Sequence, residues 1–266
     1  MTRVRLIRDF LARGRTHSYG PHRSQRAELH LPRGAGPHPV MVLIHGGSWH
    51  KRYGRVVMRG LAGDLVRRGW AVWNIEYRRL GDGGGWPATF DDVAAAVDHL
   101  GTLEAPLDLR RVSVLGHSAG GQLALWAAGR AALAPGAPGA DPAIAFERAI
   151  SQAGVCDLAG AYRRWRGGVV RALMGGSPQD LPERYVVADP LAHVPLALPV
   201  LLVHGVEDRT VSVELSRSYA DASAAAGGAV ELVEIEGDAG AHRAHIDPRS
   251  LAWTAVARRL GSSPGY

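Results

Sequence analysis

The chain reads as an α/β protein with a mostly parallel central sheet flanked by helices, and two observations carry that reading. Short β-rich runs alternate with helical patterns along the chain, which implies strands joined by helical crossovers. The later runs are also almost continuously apolar and β-branched, as expected of strands covered on both faces.

The strand candidates are Ala27 to Leu31, Val40 to His45, Ala71 to Tyr77, Arg111 to Leu115, Arg148 to Gln152, Pro199 to His204 and Val230 to Ile235. Between them lie helix candidates at Val56 to Arg68, Thr89 to Thr102, Gly121 to Ala128, Ala159 to Leu173, Val213 to Ala226 and Ser250 to Leu260. Asp91 and Asp92 fall in the first turn of the second helix, where the helix dipole favours negative charge. Ala131 to Pro142, rich in Ala, Gly and Pro, reads as a mobile loop, and Trp165 to Pro190 as a small excursion over the sheet's edge. The segment 131–190 is therefore the candidate lid within a single domain spanning 1–266. Gly81 to Gly85 lacks the Gly-Lys-Ser/Thr ending of a phosphate-binding loop and reads as a turn.

At 266 residues, 46% hydrophobic and 21% charged, the chain is long enough for one full core. Its net charge of +6 comes from arginine, since Lys51 is the sole lysine. The arginines are scattered among acids rather than clustered on one element, which argues against nucleic-acid binding. The charged N-terminus Met1 to Phe10 is not followed by a signal-peptide core, and no stretch approaches the roughly 20 apolar residues of a membrane helix. Cys156 is the lone cysteine, so no intrachain disulfide can form, and it reads as a small buried apolar residue. A cytoplasmic protein is the simplest inference.

Chemistry concentrates in Gly116-His117-Ser118-Ala119-Gly120, which joins an apolar strand to an alanine-rich helix. A bare G-x-S-x-G pattern occurs by chance, but the strand before it and the helix after it mark a nucleophile elbow. A serine hydroxyl is a poor nucleophile at neutral pH, so the elbow predicts a histidine base and an acid that orients it. Where the serine sits on such an elbow, the partners follow in the order Ser, Asp or Glu, His. Asp208 answers for the acid, just past the run Val200 to His204, with Glu207 beside it as the alternative; a plain turn aspartate is the bland reading. Two histidines, His242 and His245, follow the last strand. The glycines before His242 favour a loop able to bend toward Ser118, and spacing alone separates the two only weakly.

An acyl-transfer site also needs donors for the developing oxyanion. Ala119 would supply one N–H, and the glycines of His45-Gly46-Gly47-Ser48-Trp49 would turn others into the site. His45 then reads as a brace for that loop rather than a second base. Four aromatics near these loops, Trp49, Trp86, Tyr162 and Trp165, are candidates to line a substrate pocket, whereas Trp126 reads as core.

Together these motifs resemble the α/β-hydrolase superfamily, and most of all its esterase branch with a His-Gly-Gly-x-Trp motif, shared by arylformamidases (kynurenine formamidases), small carboxylesterases and acyl-aminoacyl-peptidase-like hydrolases. The resemblance runs from about Val40 to the final helix and takes in Tyr77-Arg78, Trp86-Pro87, Asp92, the His204-Gly205-x-x-Asp208 turn and Asp247-Pro248. In such relatives the catalytic histidine stands six residues before that proline, which maps onto His242. The loop departs from its relatives at Arg243-Ala244-His245, where an aromatic and an acid usually follow.

The resemblance implies a cofactor-free and metal-free serine hydrolase that cleaves a small ester or an aryl formamide through an acyl-enzyme. Short acyl groups suit a chain without a large lid domain. A peptidase is disfavoured by the lack of a gating domain, an acyltransferase would use the same triad, and a noncatalytic binding protein would usually have lost the serine or histidine. The expected partner is a small ester or amide, with no nucleic acid and no membrane; a homodimer is compatible with the sequence.

Overall fold

The computed structural model describes residues 14–261. The N-terminal segment Met1 to Phe10 lies outside the described residues. The described strands are β1 (Arg15–Ser18), β2 (Arg26–His30), β3 (His38–Ile44), β4 (Ala71–Ile75), β5 (Leu107–His117), β6 (Arg148–Gln152), β7 (Val200–Gly205) and β8 (Val230–Ile235). They form one sheet in the order β1-β2-β4-β3-β5-β6-β7-β8. Pairings from β4 to β8 are parallel, while β1 and β2 join antiparallel at one edge.

The helices are α1 (Arg59–Arg67), α2 (Ala88–Asp98), α3 (Ala119–Gly129), α4 (Leu158–Arg164), α5 (Gly168–Met174), α6 (Pro182–Ala188), α7 (Glu214–Ala225) and α8 (Leu251–Leu260). Every residue of β3, β4 and β7 is buried, which is why these strands read as unbroken apolar runs. Successive side chains point to opposite faces, and two cores result. Val40, Val42 and Ile44 pack with Phe90 and Val97 of α2, Leu123 and Trp126 of α3, and Tyr219 of α7. Met41 and Leu43 pack on the other face with Leu61 and Leu65 of α1 and Trp253 and Val256 of α8.

Three expectations change. The helix expected over Ala159 to Leu173 breaks into α4 and α5, because Arg166, Gly167 and Gly168 all take positive φ. Strand β6 runs through the 131–190 segment in the middle of the sheet, so that segment is not one lid; its helical part is α4 to α6. The Ala131 to Pro142 loop is tied down: buried Arg130 pairs with Asp98 through both guanidinium ends and donates from Nε to the Gly139 carbonyl.

The α4 start is anchored as firmly. Asp189 accepts from the Leu158 and Ala159 N–H groups, both at 2.9 Å, and Asp157 caps Gly160. No described helix is long and apolar enough to cross a membrane. Because Ile44 lies opposite Gly116, His117 opposite Gln152, and Gly205 opposite Ile235, the carboxyl ends of β3, β5, β7 and β8 finish level. The loops leaving them converge at one end of the sheet, where open α/β folds bind ligands.

Candidate active site

Ser118 stands between β5 and α3 with φ 56° and ψ −121°. A non-glycine residue held there costs of order 1–3 kcal/mol and persists only where its surroundings impose it. The surroundings do so at both ends. Its N–H donates to the Gln152 carbonyl of β6 at 2.9 Å, and its own carbonyl accepts from Gly121 at 2.9 Å. A Cβ on Gly116 would collide with the Gly120 carbonyl, and one on Gly120 with the Ile44 and His45 carbonyls. The small residues of the motif are thus required by strand and helix crossing at van der Waals distance.

Asp208 occupies the turn after β7, its side chain fully enclosed. One carboxylate oxygen, Oδ1, accepts from the Thr210 and Val211 N–H groups at 2.8 and 3.1 Å. The other, Oδ2, accepts from His242 Nδ1 at 2.7 Å. Burial alone would raise the Asp208 pKa, but the His242 hydrogen bond and charge and the two backbone donors hold it below the usual carboxylate range. Beneath it, His204 is buried with Nε2 donating to the Val211 carbonyl at 2.9 Å and Nδ1 accepting from Ser216 Oγ at 2.7 Å. Burial lowers the His204 pKa, so it braces the acid's loop as a neutral ring.

Of the two histidines left open by spacing, His242 is the one held by Asp208. His245 is fully buried, and burial together with His204 and His242 pushes its pKa down to about 4. Glu207, the alternative acid, is exposed and accepts from the Gly237 N–H instead. The residue before the serine also takes part: His117 Nε2 donates to the His242 carbonyl at 2.9 Å and fixes that residue's backbone. Burial, then the neighbouring His242 and His245, hold His117 well below the ordinary histidine range. Its place inside the Gly-His-Ser motif was the only sequence signal for this role.

The His45-Gly46-Gly47-Ser48-Trp49 loop follows β3, with positive φ at Gly47, Ser48 and Trp49 in succession. Gly46 touches the elbow, since a Cβ there would meet the His117 carbonyl and the Ser118 side chain. His45 braces the loop as expected: its ring stacks on Tyr77 at 4.4 Å, and its Nε2 lies 2.7 Å from Glu76. Tyr77 in turn donates to the His45 carbonyl at 2.8 Å. Ala119 opens α3, where backbone N–H groups have no partner within the helix.

Two cavities meet at Ser48, Ser118 and Thr210. The larger, about 220 Å³, also reaches Gly46, Gly47, Tyr53, Val57, His242 and Arg243. The smaller, about 170 Å³, is walled by Trp49, Ala119, Val155, Trp165, Val169 and Val211. Trp49 and Trp165 thus both line the smaller cavity beside Ser118, although Trp49 is almost fully buried and donates its Nε1–H to Gln122. Trp86 packs edge-on against Phe90 and Tyr162 against Tyr185, and neither lines these two cavities. Tyr53, Val57, Thr210 and Val169 reach the site through tertiary contacts that no motif announced.

A model of the family described as BD-FAE matches residues 28–222. The chain belongs to the BD-FAE family. BD-FAE proteins are α/β-hydrolase esterases. The chain is 28% identical over 243 residues to Esterase LipQ of Mycobacterium tuberculosis (strain ATCC 25618 / H37Rv), a match covering 80% of this chain and 56% of that protein. It thus spans little more than half the length of that relative. Among solved structures, a truncated carbohydrate esterase from gut microbiota matches with a TM-score of 0.78 at 18% identity, over 93% of this chain and 95% of that one. Butyrate-bound Est2 of Thermogutta terrifontis matches with a TM-score of 0.73 at 21% identity, over 95% and 96% of the two chains. Both place this BD-FAE member in the α/β-hydrolase fold.

Proposed function

We propose that the protein is a serine esterase for small carboxylic esters, working through an acyl-enzyme. The observation that carries this is the enclosed Asp208 carboxylate on His242 Nδ1, with His242 and Ser118 facing one cavity. Asp208 fixes the histidine proton on Nδ1 and leaves Nε2 free to accept. Ser118 Oγ attacks the ester carbonyl as its proton passes to His242 Nε2, forming a tetrahedral intermediate. Backbone N–H groups of Gly46, Gly47 and Ala119 receive the oxyanion. The carbonyl re-forms, the C–O bond to the alcohol breaks, and His242 returns its proton to the departing oxygen. Water then repeats the sequence, releasing the acid and regenerating Ser118.

This mechanism assigns the two cavities. The proton donor must stand on the side of the leaving group, so the cavity containing His242 takes the alcohol. The acyl group then enters the cavity behind Ala119. That space is far below the roughly 300–1,000 Å³ of pockets for drug-sized ligands, and six of its nine lining residues, Trp49, Ala119, Val155, Trp165, Val169 and Val211, are apolar, with the hydroxyls of Ser48, Ser118 and Thr210 at its junction with the larger one. Short aliphatic acyl groups fit this description, in keeping with the butyrate bound to Est2.

The test pairs a fluorophosphonate probe with a series of p-nitrophenyl esters, and with N-formylkynurenine as the aryl formamide that the sequence motifs suggest. Labelling should vanish in Ser118→Ala, and turnover should peak between acetate and butyrate. Labelling that survives Ser118→Ala removes the nucleophile. Turnover of the formamide without the short esters would move the enzyme to the formamidase side of its relatives.

A further inference from the structure

The cavity assigned to the alcohol carries one fixed charge. Among the described residues no aspartate or glutamate lines it, and apart from His242 and the neighbouring His117 the only ionisable groups on its wall are Arg243 and the phenol of Tyr53. Arg243 is exposed, directly follows His242 in the same helical turn, and has no hydrogen bond or ion pair among the described residues. Four arginines packed near the oxyanion loop are engaged: Arg55 and Arg59 with Glu28, Arg78 with Asp92, and Arg79 with Glu76. The nearest carboxylate to the reaction, Asp208, is enclosed and saturated by His242 and two backbone donors.

An exposed guanidinium on a pocket that Val57 and Ile246 also line suits a ligand with an apolar body and an anionic end. Guanidinium and carboxylate match as a planar two-point pair, stronger than a neutral hydrogen bond. The chain's net charge of +6 would draw such a ligand in rather than repel it. Because Arg243 adjoins the residue that protonates the leaving oxygen, the anion it meets belongs to the alcohol part of the ester.

We infer that Arg243 is a specificity residue selecting esters whose alcohol or phenol carries a carboxylate. The inference rests on the esterase reading above, and its test keeps the two apart. Wild type, Arg243→Gln, Arg243→Lys and Arg243→Glu are assayed on 4-acetoxybenzoate and on the neutral 4-acetoxybenzamide, which share one acyl group. The expected result is a ratio of kcat/KM, anionic over neutral, that falls about tenfold in Arg243→Gln, falls further in Arg243→Glu, and is largely kept in Arg243→Lys. Raising the salt should compress the wild-type ratio. Product inhibition gives a second readout: 4-hydroxybenzoate should inhibit wild type better than 4-hydroxybenzamide does, and lose that advantage in Arg243→Gln.

A ratio that stays within about twofold across the variants overturns the inference, with the fold-change expected of a charged pair as the yardstick. Equal losses on both substrates overturn it too. Wild type that hydrolyses neither ester and resists fluorophosphonate defeats the esterase reading itself, and Arg243's role falls with it.

Discussion

Replacing Asp208 with asparagine alters one hydrogen-bonding atom in a site whose shape stays the same. In the native protein Oδ1 is claimed by the Thr210 and Val211 N–H groups, so Oδ2 must face His242. In Asp208→Asn those two donors hold the amide oxygen, and the amide nitrogen turns to His242 Nδ1. The amide nitrogen can only donate, so His242 Nδ1 has to accept, which moves the histidine proton to Nε2 and removes the base from Ser118. A wrong tautomer of this kind costs about 10⁴ in kcat, or about 5 kcal/mol at 1.36 kcal/mol per tenfold. Glu207 offers no rescue, since it is exposed and engaged by Gly237. The assay is kcat/KM on p-nitrophenyl acetate alongside the fluorophosphonate labelling rate, which should fall in parallel, with a thermal melt to establish folding. A folded Asp208→Asn enzyme retaining more than about a tenth of wild-type kcat/KM would refute the tautomer argument.

Gly120→Ala should destabilise the fold by about 3 kcal/mol or more in urea, because the new methyl meets backbone carbonyls that cannot move aside. Trp165→Ala should enlarge the acyl cavity and raise the hexanoate-to-acetate ratio of kcat/KM at least about tenfold. Acid should unfold the protein partly through His245. Its folded pKa of about 4 lies below the ordinary 6.5, so its contribution is complete above pH 6.5 and lost as pH falls toward 4. That loss is about 3 kcal/mol at most, and a pH series of urea midpoints should flatten in His245→Leu. Asp189 acts with the opposite sign: burial and the nearby Asp157 raise it to about 6, so between pH 3.8 and 6 its ionisation removes stability as pH rises. An unchanged slope in His245→Leu would exclude the buried histidine as the acid-sensitive group.

The central strands were legible because burial on both faces leaves no alternation to confuse, as in Val40 to Ile44. Strand β1, Arg-Thr-His-Ser, was not: it sits largely exposed at the sheet's edge, defined by backbone pairing with β2 rather than by an apolar face. Strand β5 begins earlier than its apolar run, since Leu107 and Asp108 pair with His38 and Pro39 across a register shift. Within the candidate site, the elbow at Ser118 was legible because its crossing demands small residues at Gly116 and Gly120, whereas His242 and His245 were separable only once the fold set His242 on Asp208 and buried His245. The pocket walls could not. Trp86 and Trp165 stand equally near motifs in the chain, yet the tertiary fold sends one to Phe90 and the other to the small cavity.

The meeting of two cavities at Ser48, Ser118 and Thr210 has a consequence for how such an enzyme diversifies. Trp165 and Val169 wall one side only, and Tyr53 and Arg243 the other only. Changes at sites without shared partners tend to add. Preference for the acid and preference for the alcohol can therefore drift as two separate traits, each selected without undoing the other, while the partition between them stays constant.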